Sequence, residues 1–173
     1  NYVLQHACII VAKAKRTLLL IKKVAKDIRK SSGWEEACDD KMSMTPPRMD
    51  FDEFELLVKT MVQAKPRSYL EWGSGLSTSL YPLLSAGNVY VIDNYPPWCQ
   101  RVLEMPVVQC LQEKQQRLSM SCVHAERAEG QPVELKTWGY PADAADNVLL
   151  GRSYVEQIDN FKITRLDEAL VDG

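Results

Sequence analysis

Tyr69-Leu70-Glu71-Trp72-Gly73-Ser74-Gly75-Leu76-Ser77-Thr78 is the stretch on which the reading of this chain turns. It reads as a buried strand that ends in an acid, then a glycine turn, then a helix start. A second strand, Val89-Tyr90-Val91-Ile92, ends in Asp93, twenty positions beyond Gly73. Glycines at such a turn let backbone approach a ligand closely, and an acid at a neighbouring strand end accepts hydrogen bonds from ribose hydroxyls. The plainer reading is a tight strand-to-helix turn with glycine for steric reasons alone. A lone GxG does not separate the two; the pair of acids, Glu71 and Asp93, favours the nucleoside.

Working outward, the elements on either side alternate in type. Asp50 reads as an N-cap, with Glu53 completing a capping box. Phe54, Leu57, Val58, Met61 and Val62 then give a helix its buried face, and Pro66 stops it. After the glycine turn a helix is expected from about Ser77 to Ala86, with Pro82 in or near its first turn and Gly87 as its C-terminal cap. A further helix runs from Trp98 to Glu104, with Pro97 at its start. Leu118–Val123 reads as a third strand, 125–150 as a long irregular loop, Tyr154–Asp159 as a short helix and Leu166–Val171 as a fourth strand. Strands alternating with helices predict an α/β domain, Rossmann-like, with a parallel sheet and helices on both faces.

Ahead of this domain lies a long basic amphipathic helix. Val3, Ala7, Ile10, Ala14, Thr17, Ile21, Val24 and Ile28 recur at spacings of three and four, giving one apolar stripe over residues 3–28. Residues 1–30 carry a net charge of +7, which leaves −9 for residues 31–173. No apolar run approaches the ~18 residues a membrane span requires. The stripe is open to two readings: packing on its own domain, or docking on a protein assembly or an anionic membrane surface. Because no apolar partner lies nearby in sequence, docking is the expectation; a retained organelle-targeting segment is a weaker third. The acidic remainder gives no reason to expect nucleic acid. The expected organisation is a docking helix over 1–30, a linker with Pro46-Pro47 over 31–49 and the α/β domain over 50–173. The chain begins at Asn1 and ends inside an apparent motif, so both ends read as cuts in a longer protein.

The five cysteines, Cys8, Cys38, Cys99, Cys110 and Cys122, are odd in number and form no CxxC pair. That pattern argues against a disulfide framework and a zinc site, and predicts a reducing compartment. Cys99, Cys110 and Cys122 read as small core residues.

Taken in order, Leu70–Thr78, Val89–Asp93 with Trp98, Tyr154-Val155-Glu156-Gln157-Ile158 and Leu170-Val171-Asp172-Gly173 resemble the class I S-adenosylmethionine-dependent methyltransferases. The likeness is to a subgroup whose first strand carries Leu-Glu-x-Gly-Ser-Gly-x-Ser-Thr, and it spans residues 50–173. It implies that S-adenosylmethionine is the cofactor and that the acceptor is open. It also implies that Glu71, Gly73, Ser74, Gly75, Ser77, Asp93 and Asn94 form the cofactor site. Gly73 and Gly75 would pass under the methionine and ribose portion. Glu71 would face the cofactor's amino group or the turn's own backbone, and Asp93 would hold both ribose hydroxyls. Asp172, at the end of the fourth strand, would face the transferred methyl, or else merely cap the turn there. Methyl transfer needs mainly positioning of donor and nucleophile, with a base only for a protonated acceptor.

The resemblance is incomplete. The family's sheet has seven strands against four here, and Glu168 falls inside the fourth strand, where a buried parallel strand prefers an apolar residue. That carboxylate must be paired, exposed or at a sheet edge. These departures keep a second expectation open: a non-catalytic methyltransferase-like scaffold subunit in a larger, membrane-associated or organellar assembly. A nicotinamide-dependent dehydrogenase fits less well, because Thr78 stands where the third glycine of that fingerprint falls. Asn94-Tyr95-Pro96-Pro97-Trp98 imitates an Asn-Pro-Pro-aromatic methyltransferase motif, but it follows the second strand and reads as a turn with a helix start. His124 reads as an ordinary loop histidine, His6 has no chemical role, and Trp98, Trp138 and Tyr140 read as packing aromatics.

Overall fold

The computed structural model describes residues 2–123 and 156–171, with side chains from residue 9 onward. Four strands, β1 (Ser68–Trp72), β2 (Asn88–Asp93), β3 (Leu118–Cys122) and β4 (Glu168–Val171), form one sheet. Their order is β3-β2-β1-β4 and every pairing is parallel. The expected α/β architecture with a parallel sheet is thus present.

Period-two alternation divides the sheet into two faces. Tyr69, Val89, Val91 and Leu118 point to the larger core, which they share with residues of helices α1 (Tyr2–Ser32) and α2 (Phe51–Ala64). Leu70 and Ile92 point the other way and pack with Val123, Trp72, Tyr90, Ile158 and Phe161. Residues 156–160 are helical, in agreement with the short helix expected there, and Phe161 just beyond lies 5.2 Å from the ring of Tyr90. The long loop expected over 125–150 lies outside the described residues.

α2 starts as its sequence demands. The Asp50 carboxylate accepts from the Asp52 amide at 2.9 Å, and Phe54, Val58 and Met61 are buried at helical spacing. Lys65 in the left-handed conformation ends it. The helix expected from Ser77 to Ala86 does not form. Two 3₁₀ turns, Ser77–Ser79 and Tyr81–Leu84, take its place. Pro82 has no amide hydrogen to donate to the preceding turn and its ring would collide with it, so an α-helix cannot run through. Gly87 is not a helix cap either: a β-carbon there would collide with the backbone oxygen of Arg67. The close approach lets the Asn88 amide reach that same oxygen at 2.9 Å and start β2. Gly87→Ala is therefore expected to destabilise the domain by about 2 kcal/mol through forced backbone displacement. Urea denaturation measures this; a loss within error of zero would mean that the β1–β2 approach is not tight.

Residues 105–117 connect the helix expected from Trp98 to Glu104 with the third strand. They follow α3 (Pro96–Leu103) and contain α4 (Pro106–Gln109), which widens into a π-helical turn over Cys110–Lys114. Arg117 is buried after that turn. Its guanidinium donates to the carbonyls of Ser85 at 2.7 Å and Gly87 at 3.4 Å and to Gln115 Oε1 at 2.7 Å, and it lies 4.0 Å from the Trp34 ring centre. Burial lowers its pKa to about 9, so it is still a cation at neutral pH.

Two expectations for the N-terminal segment change. The stripe on α1 finds a partner in its own domain over its second half: Ile21 enters the main core, Val24 packs against it, and Thr17 and Ile28 are buried, with Leu18 and Ala25 beside the stripe also in the core. Burial of Leu18, Ile21 and Ile28 contributes roughly 1.5–3 kcal/mol each. Toward the helix start the stripe emerges, and Ile10 with its neighbours Ile9 and Val11 is exposed. Residues 31–49, expected as a linker, are fastened to the domain. Cys38 forms a disulfide with Cys110, Asp39 is buried in an ion pair with Arg29 at 2.9 Å, and Met42 is in the core. Among the described residues, no helix is long and apolar enough to cross a membrane.

β4 is the outer strand beside β1 among the described residues. Glu168 is half-buried there, which resolves the awkward acid: it sits on an edge strand. Asp167 clips the strand's start to β1. Its carboxylate accepts from the Arg67 amide at 2.9 Å and from Arg165 Nε at 2.8 Å, and the backbone donor at Arg67 is the main cause that holds its pKa below the ordinary aspartate value.

Candidate functional site at the strand tips

The parallel register sets Trp72 of β1 beside Ile92 of β2 and Val171 of β4, so the carboxyl ends of these strands lie together. In an order β3-β2-β1-β4 the chain reverses direction of travel between β1 and β4, and open α/β sheets bind ligands outside the strand ends at such a point. The chain leaves β1 through Gly73, whose φ of +87° belongs to the region that favours glycine. The Gly73 amide donates to the Ile92 carbonyl at 2.9 Å and keeps the turn against β2.

The two acids then organise the loop from beneath. Glu71 is 0% exposed, and its Oε1 accepts from Ser77 Oγ and from Thr78 Oγ1. Thr78 Oγ1 in turn accepts from the Gly75 amide at 3.0 Å. Asp93 is 3% exposed; its Oδ2 accepts from the Ser74 amide at 2.8 Å and from Ser74 Oγ, and its Oδ1 accepts from the Tyr95 amide at 2.7 Å. Trp98 Nε1 donates to the Ser74 carbonyl at 2.7 Å. Glu71, Ser77 and Gly75 thus share one hydrogen-bonded set through Thr78; Asp93 and Ser74 share a second, Gly73 is tied to β2, and Asn94 adjoins on the chain. Asp172, His124, Trp138 and Tyr140 lie outside the described residues, as does the side chain of His6.

Two features of this unit bear on a ligand. A carboxylate offers about four acceptor positions. The three donors that the described residues place on Asp93 leave one, on Oδ1, so a ribose diol could be held by both oxygens only if the Ser74 hydroxyl turned aside. Gly75 differs from Gly73 and Gly87. Its φ is not positive, and a β-carbon there would meet nothing closer than Ser77 Oγ at 3.6 Å, an ordinary contact. Among the described residues nothing gives a steric reason for glycine at 75.

Sequence reading missed the part played by Trp98 and by the cysteines. Cys99 is joined to Cys122, the register partner of Asp93 on β3. With Cys38–Cys110, four of the five cysteines are paired, which overturns the expectation of unpaired core cysteines and removes the ground on which a reducing compartment was expected. The pairs are 72 and 23 residues apart, spacings that carry no local signature, whereas the α-carbons stand 5.6 and 5.8 Å apart in the fold. Disulfides of this kind persist in oxidising compartments. Among the described residues no group of His, Cys, Asp or Glu is arranged to hold a metal ion.

Comparison with family models, characterised proteins and solved structures finds no match to this chain. What fold and site define is an α/β domain with a four-stranded parallel sheet, a long N-terminal helix and a glycine turn cross-braced by two buried acids.

Proposed function

We propose that this domain binds S-adenosylmethionine at the 73–78 turn and transfers its methyl group to an acceptor not yet known. The observation that carries the reading is Gly75: a glycine on which the described residues place no conformational or packing requirement, in a hydrogen-bonded turn, leaves room for a group that approaches the backbone. The strand order and the placement of Asp93 beside the turn support it.

In this reading Gly73, Ser74 and Gly75 underlie the cofactor, Asp93 receives the ribose with Ser74 Oγ turning aside, and Asn94 borders the same place. Glu71 acts through Ser77 and Thr78, holding the turn rather than the cofactor. Asp172 is the residue proposed to face the transferred methyl. When bound, the cofactor supplies an activated methyl group; the chain's part is to hold donor and acceptor in line.

A second reading is a non-catalytic scaffold of the same ancestry, docked on a protein assembly or membrane surface through α1. It is favoured by one observation, that Glu71 and Asp93 are both engaged by the turn's own donors. Isothermal titration with S-adenosylhomocysteine separates the two. Saturable heat below millimolar ligand is the expected result; no heat at millimolar ligand leaves the scaffold.

A further inference from the structure

We propose that the Cys99–Cys122 disulfide is a redox-controlled clamp on the 73–78 turn, acting through Trp98 as a positioning residue. The identity of the ligand rests on the reading just given; the clamp itself rests on geometry.

Four residues close a ring of hydrogen bonds. The Ser74 amide donates to Asp93, the Tyr95 amide donates to the other oxygen of Asp93, the Trp98 amide donates to the Tyr95 carbonyl at 2.9 Å, and the Trp98 indole returns to the Ser74 carbonyl. Trp98 and Cys99 are neighbours in α3, a helix of eight residues in which Cys99 and Val102 are buried. So short a helix has little stability of its own and depends on its attachments. The disulfide supplies one, to β3 at the level of Asp93, where the Val123 amide also donates to the Asp93 carbonyl at 2.7 Å. Cutting that link leaves the indole donor on a helix held without a covalent tie, by the packing of Trp98, Cys99 and Val102.

The two disulfides differ in access. Cys38 and Cys110 are 0% and 2% exposed, so no sulfur of that pair meets solvent readily. Cys99 is likewise buried, but Cys122 is half-buried at the end of β3, the outer strand beside β2 among the described residues. A thiolate must reach the sulfur it attacks. One thiolate of a dithiol reductant attacks Cys122 Sγ, the S–S bond breaks, and Cys99 leaves as a thiolate that takes up a proton. The second thiol of the reductant then displaces Cys122, which also ends as a thiol. Two electrons and two protons pass to the protein, and the reductant ends as its cyclic disulfide.

The test titrates the intact protein with dithiothreitol, alkylates the freed thiols and maps them by mass spectrometry. Amide hydrogen exchange over 73–78 and calorimetry with S-adenosylhomocysteine are followed in parallel. Cys99 and Cys122 are expected to label before Cys38 and Cys110. Exchange at the Ser74 and Gly75 amides is expected to accelerate about tenfold, and affinity to fall about tenfold, on loss of the clamp. Trp98→Phe keeps the disulfide and should reproduce the faster exchange. Labelling in the reverse order, or unchanged exchange at Ser74 and Gly75 in both the reduced protein and Trp98→Phe, overturns the proposal. If the oxidised protein takes up no S-adenosylhomocysteine, the cofactor reading fails by itself and the exchange result alone decides the clamp.

Discussion

Replacing Cys38 and Cys110 together by alanine lowers the unfolding free energy by about 4 kcal/mol, the value expected from chain entropy for a closed loop of this length. The bridge spans 72 residues and joins the segment after α1 to the turn after α4. Without it the unfolded chain regains the freedom of that long loop, while the native state keeps most of its contacts. Alanine is the informative replacement because both positions lie in the core, where a serine hydroxyl would add its own burial cost. The shorter bridge, Cys99–Cys122, spans 23 residues, and its double alanine variant should lose about 3 kcal/mol on the same scale. Urea denaturation of the oxidised proteins measures both, with non-reducing peptide maps establishing the pairings first. A loss below about 1 kcal/mol for the longer bridge would sink the account of residues 31–49 as part of the domain. Because Cys38 follows α1 closely, the same variant should also free residues 34–49 for proteolysis, a readout independent of the global transition.

What the sequence made legible follows from how local each cause is. β1 was readable, since a buried run lies between Pro66, just past the Lys65 that ends α2, and Gly73, whose left-handed turn ends the strand. α2 was readable because its cap and its apolar spacing lie within fourteen residues. Pro82 shows the limit of such reading: a proline near a helix start is harmless at the first position but prohibitive later, and the boundary that decides between them is set by the packing of Leu80, Leu83 and Leu84 in the core. Gly87 shows another. A glycine before a strand looks alike whether it caps a helix or lets two backbones touch, and only the neighbour Arg67, brought up by the sheet, distinguishes them. The partner of the α1 stripe is distant in sequence, as are the partners of the cysteines, so neither could be seen from spacing. At the site, the presence of two acids was legible, but not their direction. That Asp93 turns toward Ser74 depends on the serine, the Tyr95 amide and the β2 register together.

Asp93→Ala is expected to lower stability by about 3 kcal/mol, from charged hydrogen bonds lost and buried donors left unpaired. The Ser74 amide, the Ser74 hydroxyl and the Tyr95 amide would all lose their acceptor, and the ring through Trp98 would open on two sides. The same variant should weaken S-adenosylhomocysteine binding by about 1–3 kcal/mol, by removing the ribose acceptor. A single variant cannot separate these roles, because a loosened turn would also bind poorly. Ser74→Ala does separate them. It removes only the hydroxyl donor and returns an acceptor position on Oδ2, while the backbone amide of residue 74 still holds the turn to Asp93. If the carboxylate meets a ribose, this variant should bind S-adenosylhomocysteine more tightly than the parent, since the ligand hydroxyl no longer competes with Ser74. If the carboxylate is purely structural, Ser74→Ala should lose about 1 kcal/mol of stability and change no affinity. Calorimetry on the two variants beside thermal unfolding reads both quantities. Unchanged affinity in Asp93→Ala would place the ribose elsewhere, and unchanged stability would mean that the ring through Ser74, Tyr95 and Trp98 does not hold the turn.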